Sequence, residues 1–137
     1  MVRVPETMKD SSRSSQTRVR RVRADRHRSY EVHLVDGLLD ERLSELTDRI
    51  QNRQSLLVTT PTVAKLYGQS MHAKLAESVD VSLFVLPAKE DTKHMDHAMA
   101  ICREAHRIGF GRKSVLIGLG GGVCTDLVTM AASLLRR

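Results

Sequence analysis

The segment Ile117-Gly118-Leu119-Gly120-Gly121-Gly122-Val123-Cys124-Thr125-Asp126 carries the strongest chemical signal in the chain. An apolar stretch runs into three consecutive glycines and then into a helical pattern. Glycine lets the backbone turn sharply and come close to a ligand. The first turn of a helix offers N–H groups without intrahelical partners and the positive end of the helix dipole. Strand, glycine turn and helix start together make an anion site, typically for a pyrophosphate. The spacing departs from the G-x-G-x-x-G of the ordinary dinucleotide fold. Glycines at a strand end also suit a tight turn that holds nothing, and the segment by itself leaves both readings open.

Other reactive residue types are weaker signals. Glu90 and Lys93 lie three apart at a helix start, where an ordinary solvated ion pair is the expectation. His94 and His97 are also three apart, with His106 farther along the same stretch. Two ligands on one helical turn are feasible metal geometry, but no third ligand accompanies them at metal spacing. An exposed polar face is expected, and no residue is assigned to a metal. Cys102 and Cys124 show neither a metal spacing nor a disulfide framework, which fits reduced thiols in a cytoplasmic protein. Cys124 sits near a helix start, where a thiol pKa can fall; a small residue packed under the turn is the expectation.

The elements that must position these groups follow from periodicity. Residues 30–35 alternate apolar and polar, as a half-buried strand does. Residues 38–50 carry Leu39, Leu43, Leu46 and Ile50 at helical spacing. Ser55-Leu56-Leu57-Val58-Thr59 reads as a buried strand, and Pro61 suits the first turn of the helix that follows, residues 62–76, with Val63, Leu66 and Leu75 facing inward. Residues 79–86 form a further strand closed by Pro87. Residues 91–109 form a long helix with Met95, Met99, Ile101 and Cys102 on its apolar side. Residues 114–119 are a strand, and residues 123–135 a last helix. Four strands alternating with four helices predict an α/β fold, a Rossmann-like parallel sheet with helices on both faces.

Charge divides the chain. Residues 1–28 carry nine Arg or Lys against three acids, so they hold the whole net charge of +6; the remaining residues carry 13 of each sign. This stretch is poor in large apolar side chains and is expected to be a disordered basic arm, with an α/β domain over residues 29–137. No aromatic is interleaved for base stacking, which argues against nucleic acid as a partner. No stretch has the roughly 18 apolar residues of a membrane span, and no secretory signal is visible.

The glycine segment, continued by Leu127-Val128-Thr129-Met130-Ala131-Ala132-Ser133-Leu134-Leu135-Arg136-Arg137, resembles the central motif of the sugar-phosphate cyclases. That superfamily includes dehydroquinate synthase and 2-epi-5-epi-valiolone synthase. Two further segments match in order. Pro87-Ala88-Lys89-Glu90-Asp91-Thr92-Lys93 is similar to the family's P-x-G-E-x-x-K, with Lys89 in place of its Gly. Leu57-Val58-Thr59-Thr60-Pro61-Thr62-Val63-Ala64-Lys65-Leu66-Tyr67 is similar to V-T-D-x-N-V-x-x-L-Y, with Thr60 at the Asp and Thr62 at the Asn.

The resemblance implies the N-terminal domain of the dehydroquinate-synthase-like fold and NAD as cofactor. It assigns Gly120, Gly121, Gly122 and Val123 to the NAD pyrophosphate, Glu90 and Lys93 to the nicotinamide side, Thr60 and Thr62 to the adenosine ribose, and Asp126 to the substrate side. A threonine hydroxyl can still bond a ribose, but without the charge assistance of a carboxylate. In the family a divalent metal, zinc or cobalt, is held by a second, helical domain, so none of the histidines above matches a ligand. The implied reaction is NAD-dependent phosphate elimination and intramolecular aldol cyclisation of a heptulose phosphate. Thr125-Asp126-Leu127-Val128-Thr129-Met130, where dehydroquinate synthases read G-D-L-A-G-F, leans towards sedoheptulose 7-phosphate. The implied partners are a sugar-phosphate substrate and either a second copy or the helical domain, and the chain alone is expected to be inactive. An iron-dependent alcohol or glycerol dehydrogenase shares the fold and a Gly-Gly-Gly turn and is the rival reading. A non-catalytic nucleotide-binding remnant is the other.

Overall fold

A computed structural model describes residues 18–24, 28–87 and 94–135. The chain divides into two compact units, Met1–Leu38 and Leu39–Arg137. In the first, β1 (Arg18–Ala24) and β2 (Arg28–Leu34) form an antiparallel ribbon in which Arg18 faces Leu34 and Ala24 faces Arg28 across the ladder. This corrects two expectations. Residues 18–24, assigned by composition to a disordered arm, are a strand whose backbone pairs with β2. Residues 30–34 are likewise not the first strand of the parallel sheet; they belong to this ribbon, where Tyr30, Val32 and Leu34 stay exposed.

The second unit is the α/β fold. Its sheet has three parallel strands in the order β4-β3-β5: β3 (Ser55–Thr59) is central, between β4 (Val81–Val85) and β5 (Val115–Leu119). All five residues of β3 are buried, as a central strand covered on both faces requires. Side chains alternate across a strand, so β3 feeds two cores. Leu57 joins Leu43, Ile50, Met71, Leu75 and Val81 on one face. Leu56 and Val58 join Ile101, Ala105, Leu127, Ala131 and their neighbours on the other.

Helices cover both faces accordingly. On the first face lie α1 (Leu43–Ile50) and the helical segment after β3. That segment begins as α2 (Pro61–Val63), passes through a π-helical turn (Ala64–Gly68) and ends as α3 (Gln69–Ala76). On the opposite face lie α4 (Met95–Arg107) and α5 (Gly122–Leu135).

Two apolar stripes run differently from their expected phase. Leu66 is exposed where an inward position was expected, and Ala64, Gly68 and Met71 are buried instead. The wider π-helical turn shifts the face that meets the sheet. On α4 the buried side is Ala98, Ile101 and Ala105, with Cys102 packed beside it, while Met95 and Met99 are exposed. Among the described residues, no helix is long and apolar enough to cross a membrane.

Ile101 is fully buried between α4, α5 and β3, whereas Leu66 is 63% exposed. Ile101→Ala is expected to destabilise the fold by about 2–5 kcal/mol, and Leu66→Ala by no more than about 0.5 kcal/mol. Urea titrations of the two variants beside the parent chain check this contrast.

Candidate functional site

Sheet order selects one place for a ligand. The helical segment after β3 packs on one face, and α5, after β5, packs on the other. Neighbouring strands whose following helices part to opposite faces leave a crevice at their carboxyl ends, the usual ligand position in an open α/β sheet. Here those ends are Thr59-Thr60 and Leu119-Gly120. The topology therefore brings together the two described segments assigned to the cofactor, Thr60 with Thr62 and Gly120 with Gly121, Gly122 and Val123.

The glycines differ in what fills the space beside them. A Cβ on Gly118 would meet the Val128 side chain at 3.3 Å, so this glycine allows α5 to lie close on β5. A Cβ on Gly120 would stand 2.8 Å from the Cβ of Cys124, closer than two such atoms can approach. Gly121 and Gly122 are different: a Cβ there would meet nothing within 4 Å, and neither has a positive φ. Neither packing nor backbone conformation explains glycine at these two positions. The open space beside them is what a ligand approaching the main chain would use.

The helix start is arranged for an acceptor. The amide of Thr125 bonds the Gly121 carbonyl at 3.1 Å, so the amides of Gly122, Val123 and Cys124 lie ahead of the ladder of α5. The Thr125 hydroxyl donates backwards, to the Gly122 carbonyl at 3.0 Å and the Gly121 carbonyl at 3.3 Å. The first turn of α5 holds no acidic residue, which leaves its positive dipole end free of a competing charge. Val123 is half-buried against the core, and Asp126 is exposed on the next turn.

On the β3 side, Thr60 has extended backbone angles and caps α2 without a side-chain capping bond. Its carbonyl accepts the Ala64 amide at 2.7 Å. Thr60 is half-buried, while Thr62 is exposed. Glu90 and Lys93 lie outside the described residues.

Sequence reasoning passed over one residue. Thr59 is fully buried, and its hydroxyl donates to the Leu119 carbonyl at 2.7 Å, across the floor of the crevice. A hydroxyl closing a strand with an apolar middle was the available signal. Cys124 fits its expectation as a small residue under the turn: it is 1% exposed, and its thiol donates to the Val58 and Leu119 carbonyls. Burial pushes its pKa above the ordinary value of 9.0, opposed by the Leu119 backbone bond. The thiol is therefore held neutral and is no activated nucleophile. His94 and His97 stand with ring centroids 6.2 Å apart, and no cluster of three metal-ligating side chains occurs among the described residues. A groove among those residues runs elsewhere, by the amino ends of β3 and β5 near Arg53, Phe110 and Ser114, and no residue assigned to the cofactor lines it.

Known proteins share parts of this sequence and fold. Residues 83–137 match the family model described as 3-dehydroquinate synthase N-terminal. The chain is 34% identical over 123 residues to the 3-dehydroquinate synthase of Rhizobium meliloti (strain 1021), covering 88% of this chain and 33% of that protein. It is 36% identical over 110 residues to the same enzyme of Zymomonas mobilis, covering 80% and 29%. Among solved structures, 2-epi-5-epi-valiolone synthase from Streptomyces hygroscopicus, with NAD+ and Zn2+ bound, superposes with a TM-score of 0.68 at 33% identity, over 83% of this chain and 31% of that one. A 2-deoxy-scyllo-inosose synthase shares the fold with a TM-score of 0.71 at 14% identity, over 86% and 33%.

These matches support a fragment of the sugar-phosphate cyclase superfamily, its N-terminal, Rossmann-like α/β part. The chain spans about a third of the length of the curated relatives it matches.

The unequal surroundings of the glycines predict unequal costs. Gly120→Ala must push α5 away from β5 and should cost about 1–3 kcal/mol, as other overpacked sites do. Gly121→Ala should stay within about 0.5 kcal/mol of the parent. Chemical denaturation of both variants measures the difference. The raised thiol of Cys124 adds a pH dependence. Its contribution is complete below 9.0 and is lost as pH rises past that value, because the unfolded thiol ionises first. Stability should fall less between about pH 8 and about pH 10 in Cys124→Ala than in the parent.

Proposed function

We propose that this chain forms the NAD-binding part of a 3-dehydroquinate synthase-like cyclase. The observation that carries the reading is the space beside Gly121 and Gly122, which a Cβ would enter without meeting any protein atom. The residues present fit a dinucleotide. The amides of Gly122, Val123 and Cys124 would donate to its pyrophosphate, with the dipole of α5 behind them. Thr60 and Thr62 would bond the adenosine ribose through their hydroxyls. Glu90 and Lys93 would lie on the nicotinamide side, by the family pattern at those positions. Asp126 would face the substrate.

A bound NAD would supply reversible hydride transfer at a substrate carbon that bears a hydroxyl, and would not be consumed. The protein's own contribution is orientation. Gly120, pressed against Cys124, fixes where the chain turns, and the neutral thiol beneath adds no charge to compete with a bound anion.

The overall reaction in this reading is phosphate elimination and aldol closure of a heptulose phosphate, with sedoheptulose 7-phosphate preferred. A zinc or cobalt ion would belong to the part of the relatives' length that this chain does not span. Turnover is accordingly expected of the longer protein and not of these 137 residues. The exposed Met130 and Leu134 on α5 support contact with further protein surface, either that remainder or a second copy. The free thiols Cys102 and Cys124 accord with a cytoplasmic setting.

Calorimetric titration of the chain with NAD tests the reading. Saturable binding is expected, lost in Gly121→Val and weakened in Gly121→Ala while both variants keep the parent's melting behaviour. Equal binding by all three, or none by a folded parent chain, would remove the cradle from the account.

A further inference from the structure

We propose that Thr59 is a positioning residue that sets the separation of the two walls of the crevice. The inference rests on the cofactor reading above for its functional meaning, but its geometry stands independently. Thr59 and Leu119 are register partners at the carboxyl ends of β3 and β5, the last paired positions before the strands' chains part to opposite faces. The main-chain ladder ends there. The Thr59 hydroxyl extends it by one bond, donating to the Leu119 carbonyl at 2.7 Å. That same carbonyl accepts the Cys124 thiol at 3.7 Å, and the thiol also reaches the Val58 carbonyl at 3.6 Å. The β3 end, the β5 end and the first turn of α5 are thereby tied at one carbonyl, immediately before Gly120.

The other end of the Thr59 side chain is equally constrained. Its methyl group, Cγ2, lies 3.2 Å from where a Cβ on Gly68 would stand. Gly68 closes the π-helical turn that carries the chain away from Thr60 and Thr62. One buried threonine therefore bears on both walls: its methyl fills the space that a side chain on Gly68 would need, in the helical segment behind the ribose-side residues, and its hydroxyl holds the strand that leads into the glycines. Thr59 is fully buried, so neither contact competes with water. Of the common side chains, only threonine places a hydroxyl and a methyl on the same Cβ. Serine keeps the first contact alone and valine replaces the first by an apolar group.

The experiment is amide hydrogen exchange of the parent, Thr59→Val and Thr59→Ser, followed by NAD titration of each. Thr59→Val should speed exchange at residues 125–128, the first bonded amides of α5, roughly three- to tenfold, the scale set by one net hydrogen bond, with exchange in α1 and α3 unchanged. Thr59→Ser should match the parent at those amides. Thr59→Ala, read in the same way, stands in if Thr59→Val does not fold. NAD affinity should follow the same order, weaker in Thr59→Val and restored in Thr59→Ser. Exchange at residues 125–128 that is the same in Thr59→Val and the parent would overturn the proposal, as would equal acceleration in the serine and valine variants. A parent chain that binds no NAD would defeat the cofactor reading and leave the exchange result to decide the positioning role.

Discussion

Both faces of the sheet are held through β3. Among the described residues it is the only strand with a parallel neighbour on each side, and its five residues are all buried. Leu57 enters one core, while Leu56 and Val58 enter the other. The two ends carry the polar groups: Ser55 bonds the Arg53 carbonyl, and Thr59 bonds the Leu119 carbonyl. No buried side-chain polar atom among the described residues is left without a partner, so the strand is fully enclosed without an uncompensated desolvation cost. Because the strand order places β3 between β4 and β5, the helices that follow β3 and β5 fall on opposite faces. The crevice at their ends is a consequence of that order.

The glycine turn draws its character from the same packing. Gly118 and Gly120 are small because protein atoms crowd them; Gly121 and Gly122 are small although none does. The first pair sets α5 close against β5, which aims the unpaired amides of its first turn over the strand ends. The second pair leaves the approach to those amides clear. An anion is the ligand such a start favours, through its donors and its dipole together. One similar structure, 2-epi-5-epi-valiolone synthase, was solved with NAD+ bound.

The α/β class and the turn were legible in the sequence because each depends on local pattern. The apolar runs 55–59 and 115–119, and the glycines between strand and helix, admit few other folds. What was not legible depends on non-local facts. Residues 30–34 alternate as a half-buried strand would, but alternation does not reveal the partner, and β1 takes that place. Leu66 and Met99 stand at apolar positions by an unbroken 3.6-residue period. The π-helical turn displaces the first. On α4 the small residues Ala98 and Ala105 lie inward where the methionines were expected, and α4 and α5 pack closely across them. Thr59 escaped notice since its role exists only when Leu119, 60 residues later, arrives beside it.

The central claim is that a dinucleotide meets the protein at the turn before α5. The most direct test is to record the amide spectrum of the isotope-labelled chain while NAD is added. The account predicts shifts concentrated at residues 120–126 and at Thr60 and Thr62, with the amides of α1 and α3 unmoved. Saturable shifts confined to the groove near Arg53 and Phe110, or none at the glycine turn of a folded chain, would contradict it.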